Sequence, residues 1–156
     1  MPTSLNLSPR IPYVAQEPGG CGIACLEMML RFYGVKELPP SHELMEQARA
    51  QGLLSENGLV YNRVNRFVQS WGFKAVSHPW LRTGRVKKWI RDNNPVMVSL
   101  QGNDGGHLVV VCGIDSDKTI HILDPSTPGT PHKTLNLKTW KEKFNHRGIT
   151  LTPRMM

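Results

Sequence analysis

Gln16-Glu17-Pro18-Gly19-Gly20-Cys21-Gly22-Ile23-Ala24-Cys25-Leu26-Glu27-Met28-Met29-Leu30-Arg31-Phe32-Tyr33-Gly34 changes character at Cys21. Ahead of it, Pro18-Gly19-Gly20 makes a turn-rich loop that continues neither a strand nor a helix. Behind it, Ile23, Leu26, Met29, Leu30 and Tyr33 fall on one helical face at i, i+3, i+4 spacing, and Gly34 closes the helix. This helix is apolar enough to be a buried central one. Cys21 therefore stands at the first turn of a buried helix, where partial positive charge and free N–H groups favour thiolate over thiol. A thiolate near neutral pH is a strong nucleophile, and the preceding glycines leave space above it for a substrate backbone. The competing reading is a small apolar residue at a helix start, since free cysteine is commonly buried and inert.

Outward from that helix the first half reads as helical. Pro39-Pro40-Ser41 opens a second helix with Ser41 as N-cap, running to about residue 50. A third is expected over about 58–71, with Leu59, Val64, Phe67 and Val68 inward and Gly72 ending it. The second half turns to strands. Residues 73–77 alternate, and a short helix covers about 83–92. Val96-Met97-Val98-Ser99-Leu100 is a strand that starts just after Pro95. The β-branched run Leu108-Val109-Val110-Val111-Cys112-Gly113-Ile114 is a strand buried on both faces. Thr119-Ile120-His121-Ile122-Leu123 follows the turn at 115–118, and a helix near 137–144 and a strand near 148–152 complete the chain. Helices first and antiparallel strands second is an α+β pattern.

A cysteine nucleophile needs a base. His42, His78, His132 and His146 lie in polar or loop-like contexts, and His121 sits mid-strand. His107 follows the glycine turn Asp104-Gly105-Gly106 and begins the most apolar strand, a rigid place to hold an imidazole toward a facing helix terminus. Asp124, in Leu123-Asp124-Pro125, ends the next strand. If the two strands pair as a hairpin, counting back from the turn at 115–118 brings Asp124 opposite the region of His107. There it can accept the other imidazole N–H. Asp104 and Asp115 compete for that role, one nearly adjacent in sequence and the other at the far end of the hairpin. Gln16 offers a side-chain amide to an oxyanion, with the Cys21 backbone N–H as second donor.

Composition narrows the classes. The 156 residues fit one domain, with 1–10 as a flexible or extended arm, and 39% hydrophobic against 20% charged residues is ordinary for a soluble globular protein. No apolar run reaches the length of a membrane span and no signal peptide opens the chain, so the expected compartment is the cytoplasm. Three cysteines are too few for a disulfide scaffold, and Cys21 and Cys25 lack a second pair of zinc ligands, so no metal or other cofactor is expected. The net charge of +7 is spread thinly over mild concentrations at 82–91 and 133–147, without RNA-binding aromatics, so no nucleic-acid partner is expected.

The stretch 16–34 resembles the opening motif of the bacteriocin-processing, double-glycine cysteine peptidase family. Gly106-His107-Leu108-Val109-Val110-Val111-Cys112-Gly113-Ile114-Asp115 resembles its histidine motif, and Ile122-Leu123-Asp124-Pro125 its aspartate motif. The similarity runs from about residue 11 to 152. It implies a papain-like fold, a peptide or protein substrate, and cleavage through a thioester. Carried over, Cys21 is the nucleophile, His107 the base and then acid, Asp124 its orienter and Gln16 the oxyanion donor, while Cys25 packs inside the helix. Two departures stand out in the opening motif. The Gln16-to-Cys21 gap is one residue shorter than in papain and the transporter-linked members, and Gly20 replaces an acidic residue often found there. The best-known relatives are domains of export transporters, but this chain has no membrane segment and no phosphate loop, hence no ATP site of its own. A free-standing endopeptidase cutting after small residues such as Gly-Gly is the leading reading. Deamidation or acyl transfer, a non-catalytic peptide-binding domain and a basic nucleic-acid module are the alternatives.

Overall fold

The computed structural model describes residues 4–102, 105–116 and 118–154. Helix α1 spans Cys21–Phe32, and every residue from Gly22 to Leu30 is buried. One of these is the carboxylate of Glu27. A buried charge needs donors, and Glu27 receives them from Arg31 Nε at 3.0 Å and Ser41 Oγ at 2.9 Å. That demand corrects the expected cap of α2 (Ser41–Ala50): Pro40 is the N-cap, while the Ser41 hydroxyl is spent on α1.

The helix expected over 58–71 is shorter, and the first half is not all helix. Leu54–Ser55 (β2) and Gly58–Leu59 (β3) form a small hairpin, a 3-10 turn follows at Tyr61–Arg63, and α3 covers only Val64–Gln69. Gly58 has φ 98°, a left-handed conformation that suits glycine and breaks the helical reading. The hairpin sets Leu59 against the first turn of α1, so that a Cβ on Gly22 would lie 3.1 Å from the Leu59 side chain. The N-terminal arm is extended at Leu5–Asn6 (β1) and docked rather than loose. Leu5 and Asn6 pair with Ile114 and Gly113, and Leu7 and Ile11 enter the core.

The strands are Phe73–His78 (β4), Val96–Gly102 (β5), Gly105–Ile114 (β6), Ile120–Leu123 (β7), His132–Leu135 (β8) and Phe144–Pro153 (β9). All their pairings are antiparallel, in the order β4-β9-β5-β6-β7-β8, with β1 also on β6. The last strand thus inserts between β4 and β5. Two more helices, Thr83–Arg91 (α4) and Leu137–Lys143 (α5), lie in this half.

Strand periodicity divides the core in two. Leu108, Val110 and Cys112 join Met97, Ile149 and the apolar faces of α1, α2 and α3. Val109 and Val111 join Val98, Ile122, Val86 and Ile90 of α4, and Trp140 of α5. The run 108–114 is therefore buried on both faces, as its composition predicts, because helices cover both sides of the sheet. Strand β8 has no apolar run to announce it, since His132-Lys133-Thr134-Leu135 alternates exposed and half-buried positions at the sheet edge.

Candidate active site

Three elements converge on Cys21. The helix start holds the sulfur, and the Gly22 and Leu108 backbone N–H groups and the His107 imidazole all bond to it. Burial alone pushes this thiol up, but the hydrogen bonds from His107 and Leu108, the His107 charge and the Gly22 N–H outweigh it and hold the thiol below its ordinary value. Cys25, one turn deeper, is fully buried and pushed well up, and burial pushes Cys112 up to about 12. The three thiols are all free and electrostatically distinct.

His107 pairs with Leu100 across the β5–β6 hairpin and stands 28% exposed at the mouth of the sheet. Its Nε2 lies 2.7 Å from Asp124 Oδ1, which leaves Nδ1 for the sulfur. The hydrogen bond to Asp124 and then that to Cys21 raise the imidazole to about 9, against the opposing effect of burial. The β6–β7 pairing carries Asp124 to this position. Val110 faces Leu123, and a register shift between Val111 and Gly113 absorbs one residue of the hairpin. Of the competitors for this role, Asp115 instead lies 2.9 Å from His121 Nε2, and Asp104 lies outside the described residues, as does Asp117 of the expected turn.

Asp124 is almost fully buried, and burial would raise its carboxyl. Hydrogen bonds from His107 and Ser126, with the charge on His107, instead hold it well below the usual carboxylate range. Sequence reading missed these supports. The Ser126 N–H and hydroxyl donate to Oδ1 at 2.9 and 2.6 Å, and Lys133 Nζ donates to Oδ2 at 3.2 Å. The Tyr13 hydroxyl of the N-terminal arm donates to the Asp124 carbonyl oxygen at 2.6 Å. An aspartate two residues before a serine, with Pro125 between, is a turn signature that could have flagged Ser126. Lys133 and Tyr13 are joined to the site only by the tertiary fold.

Gln16 shares a pocket of about 720 Å³ with His107, Asp124 and Ser126. Its backbone N–H donates to the Pro125 carbonyl at 2.9 Å, fixing the loop before the helix to the corner that carries Asp124. Its Oε1 is buried without a hydrogen-bond partner among the described residues. Tyr61, close enough to feel the Cys21 charge, is bonded to Ser99 and covered by the Arg147 guanidinium 4.3 Å above its ring. A Cβ on Gly106 would come within 2.8 Å of Ser99 Oγ, so any larger residue before His107 would have to displace that hydroxyl. No group of three or more His, Cys, Asp or Glu side chains suited to a metal ion occurs among the described residues.

A thiol at a helix N-terminus, bonded to an imidazole that is in turn bonded to a carboxylate at the edge of an antiparallel sheet, is the arrangement of the papain-like peptidase fold. The chain belongs to the Peptidase_C39 like family, whose sequence model matches residues 9–149. Among solved structures it resembles a C39-like protein of Bacillus anthracis (TM-score 0.75, 16% identity, 99% of this chain and 100% of that one). It also resembles a double glycine motif protease from an AMS/PCAT transporter, solved with the leader peptide (TM-score 0.69, 22% identity, 92% and 91%). A third is the peptidase domain of Streptococcus ComA, a bi-functional ABC transporter of a quorum-sensing pathway (TM-score 0.68, 20% identity, 92% and 100%). No curated protein sequence matches the chain. No helix among the described residues is long and apolar enough to cross a membrane.

Proposed function

We propose that this protein is a cysteine peptidase that cuts a peptide bond through a thioester on Cys21, after small residues such as Gly-Gly. The observation that carries this reading is the chain of contacts from the lowered Cys21 thiol through His107 to Asp124. The depressed thiol and an imidazole raised to about 9 together favour the thiolate–imidazolium pair. The thiolate attacks the carbonyl carbon, and the Cys21 N–H and the Gln16 side-chain amide receive the oxyanion. The C–N bond then breaks as the imidazolium gives its proton to the departing amine. Imidazole next takes a proton from water, the hydroxide attacks the thioester, and the acid product leaves with the thiolate restored. Asp124 holds the imidazole in orientation throughout, and Ser126 holds Asp124.

Support for a peptide as substrate comes from the resemblance to the protease solved with the leader peptide. The reading is tested by incubating the protein with peptides that carry an internal Gly-Gly and analysing the products by mass spectrometry. Two fragments with a new amine are expected, and none with Cys21→Ala. Ammonia release without backbone cleavage would turn the reading into deamidation, and no reaction with any peptide would remove it.

A further inference from the structure

Resting on that reading, we infer that the pocket beyond His107 receives the residues that follow the scissile bond, and that Lys133 and Lys143 select an acidic side chain there. The placement follows from proton transfer. The departing amine must take its proton from His107, so the leaving half of the substrate lies on the imidazole side of the sulfur. The pocket that His107 itself lines extends from Gln16 and Ser126 to Lys133 and Leu135 of β8 and Lys143 at the end of α5.

Register explains how lysines come to line it. Lys133 pairs with Ile122 and Leu135 with Ile120, so both point to the α4 and α5 side of the sheet, toward the pocket rather than toward α1. The Lys133 side chain stays 36% exposed while its ammonium touches Asp124 Oδ2. Asp124 is the one carboxylate among the described lining residues, and His107, Ser126 and Lys133 already share its oxygens. Lys143 is exposed and forms no ion pair with a carboxylate among the described residues. Among its described residues the pocket wall thus carries two ammonium groups and the imidazolium against a single carboxylate. A carboxylate on the first or second residue after the cut gains from both lysines, whereas a lysine there is repelled. Leu100, Ile122 and Leu135 supply an apolar floor for the methylenes of a glutamate.

The experiment uses six peptides that carry Gly-Gly followed by Glu, Gln or Lys at the first or the second position after it. Cleavage is read as kcat/KM for the wild-type protein, and binding as Kd for the Cys21→Ala protein. The expected order is Glu over Gln over Lys, with about fivefold or more between the ends at low salt and a smaller span at high salt. Lys143→Glu should flatten or invert the order, and Lys133→Gln should narrow it. Lys88→Glu, on α4 and outside the pocket, should leave it intact. A flat order in wild type overturns the inference. So does an order that survives Lys143→Glu, or one that Lys88→Glu abolishes equally, which would assign it to the overall positive charge. If the order appears in binding while no peptide is cut, the peptidase reading fails and the acidic preference stands. Neither binding nor cleavage of any peptide would overturn both.

Discussion

Replacing Asp124 with alanine removes the strongest support of the His107 imidazolium. The imidazole stands at about 9 in place of 6.5, and the hydrogen bond to Asp124 contributes more to that rise than the one to Cys21. At about 1.4 kcal/mol per pH unit, the whole rise is worth roughly 3 kcal/mol. Asp124 supplies the largest contribution, so its loss should bring His107 down toward its ordinary value. The sign follows from the direction. A raised imidazole keeps the charged pair populated up to its own pKa, so the pair persists toward pH 9 in wild type and fades at lower pH in Asp124→Ala. The assay is an NMR titration of 13C-labelled histidine, with the His107 resonance assigned from its absence in His107→Ala. An imidazole that titrates at the same pH in wild type and in Asp124→Ala, or below 7 in wild type, would refute the reasoning.

Gln16→Ala should lower kcat on a cleaved peptide by about 10² to 10³, as expected for an oxyanion donor, with Cys21 labelling unchanged. Steady-state kinetics beside thiol labelling separates that outcome from a general loss of the site. Trp140, fully buried, stacks on Phe144 at 4.4 Å and donates its indole N–H to Thr83 Oγ1 at 3.0 Å. Trp140→Ala should therefore cost about 3–5 kcal/mol in a urea melt. Of the three thiols, only Cys21 should react with iodoacetamide in the native state at pH 6, giving a single mass addition. Burial pushes the thiols of Cys25 and Cys112 up and shields them.

Much of this site is legible in the sequence because its principal members sit at the ends of regular elements. Cys21 opens α1, His107 stands near the start of β6 and Asp124 directly follows β7, and each element is announced by a mostly apolar pattern. The pairing of His107 with Asp124 could be counted from the hairpin turn, although the register shift near Gly113 could not. Less was readable where tertiary demands override local pattern. Ser41 looks like a cap, yet a buried glutamate on another helix takes its hydroxyl. Residues 58–63 carry apolar spacing compatible with helix, but the left-handed Gly58 and the β2–β3 hairpin redirect them. Lys133 lies on a polar edge strand with no hydrophobic signal, so neither β8 nor its contact with Asp124 could be foreseen. Tyr13 belongs to an arm whose docking depends on pairing with β6 and burial of Leu7.

The most direct test of the central claim is the pH dependence of iodoacetamide labelling of Cys21, in the wild-type protein and in His107→Ala. Rapid labelling at pH 6 in wild type, with the midpoint rising to about 8.5 or above in the variant, is the predicted result, because His107 supplies both a hydrogen bond and a charge to the thiolate. Identical profiles in the two proteins, each with the midpoint of an ordinary or buried thiol, would contradict it.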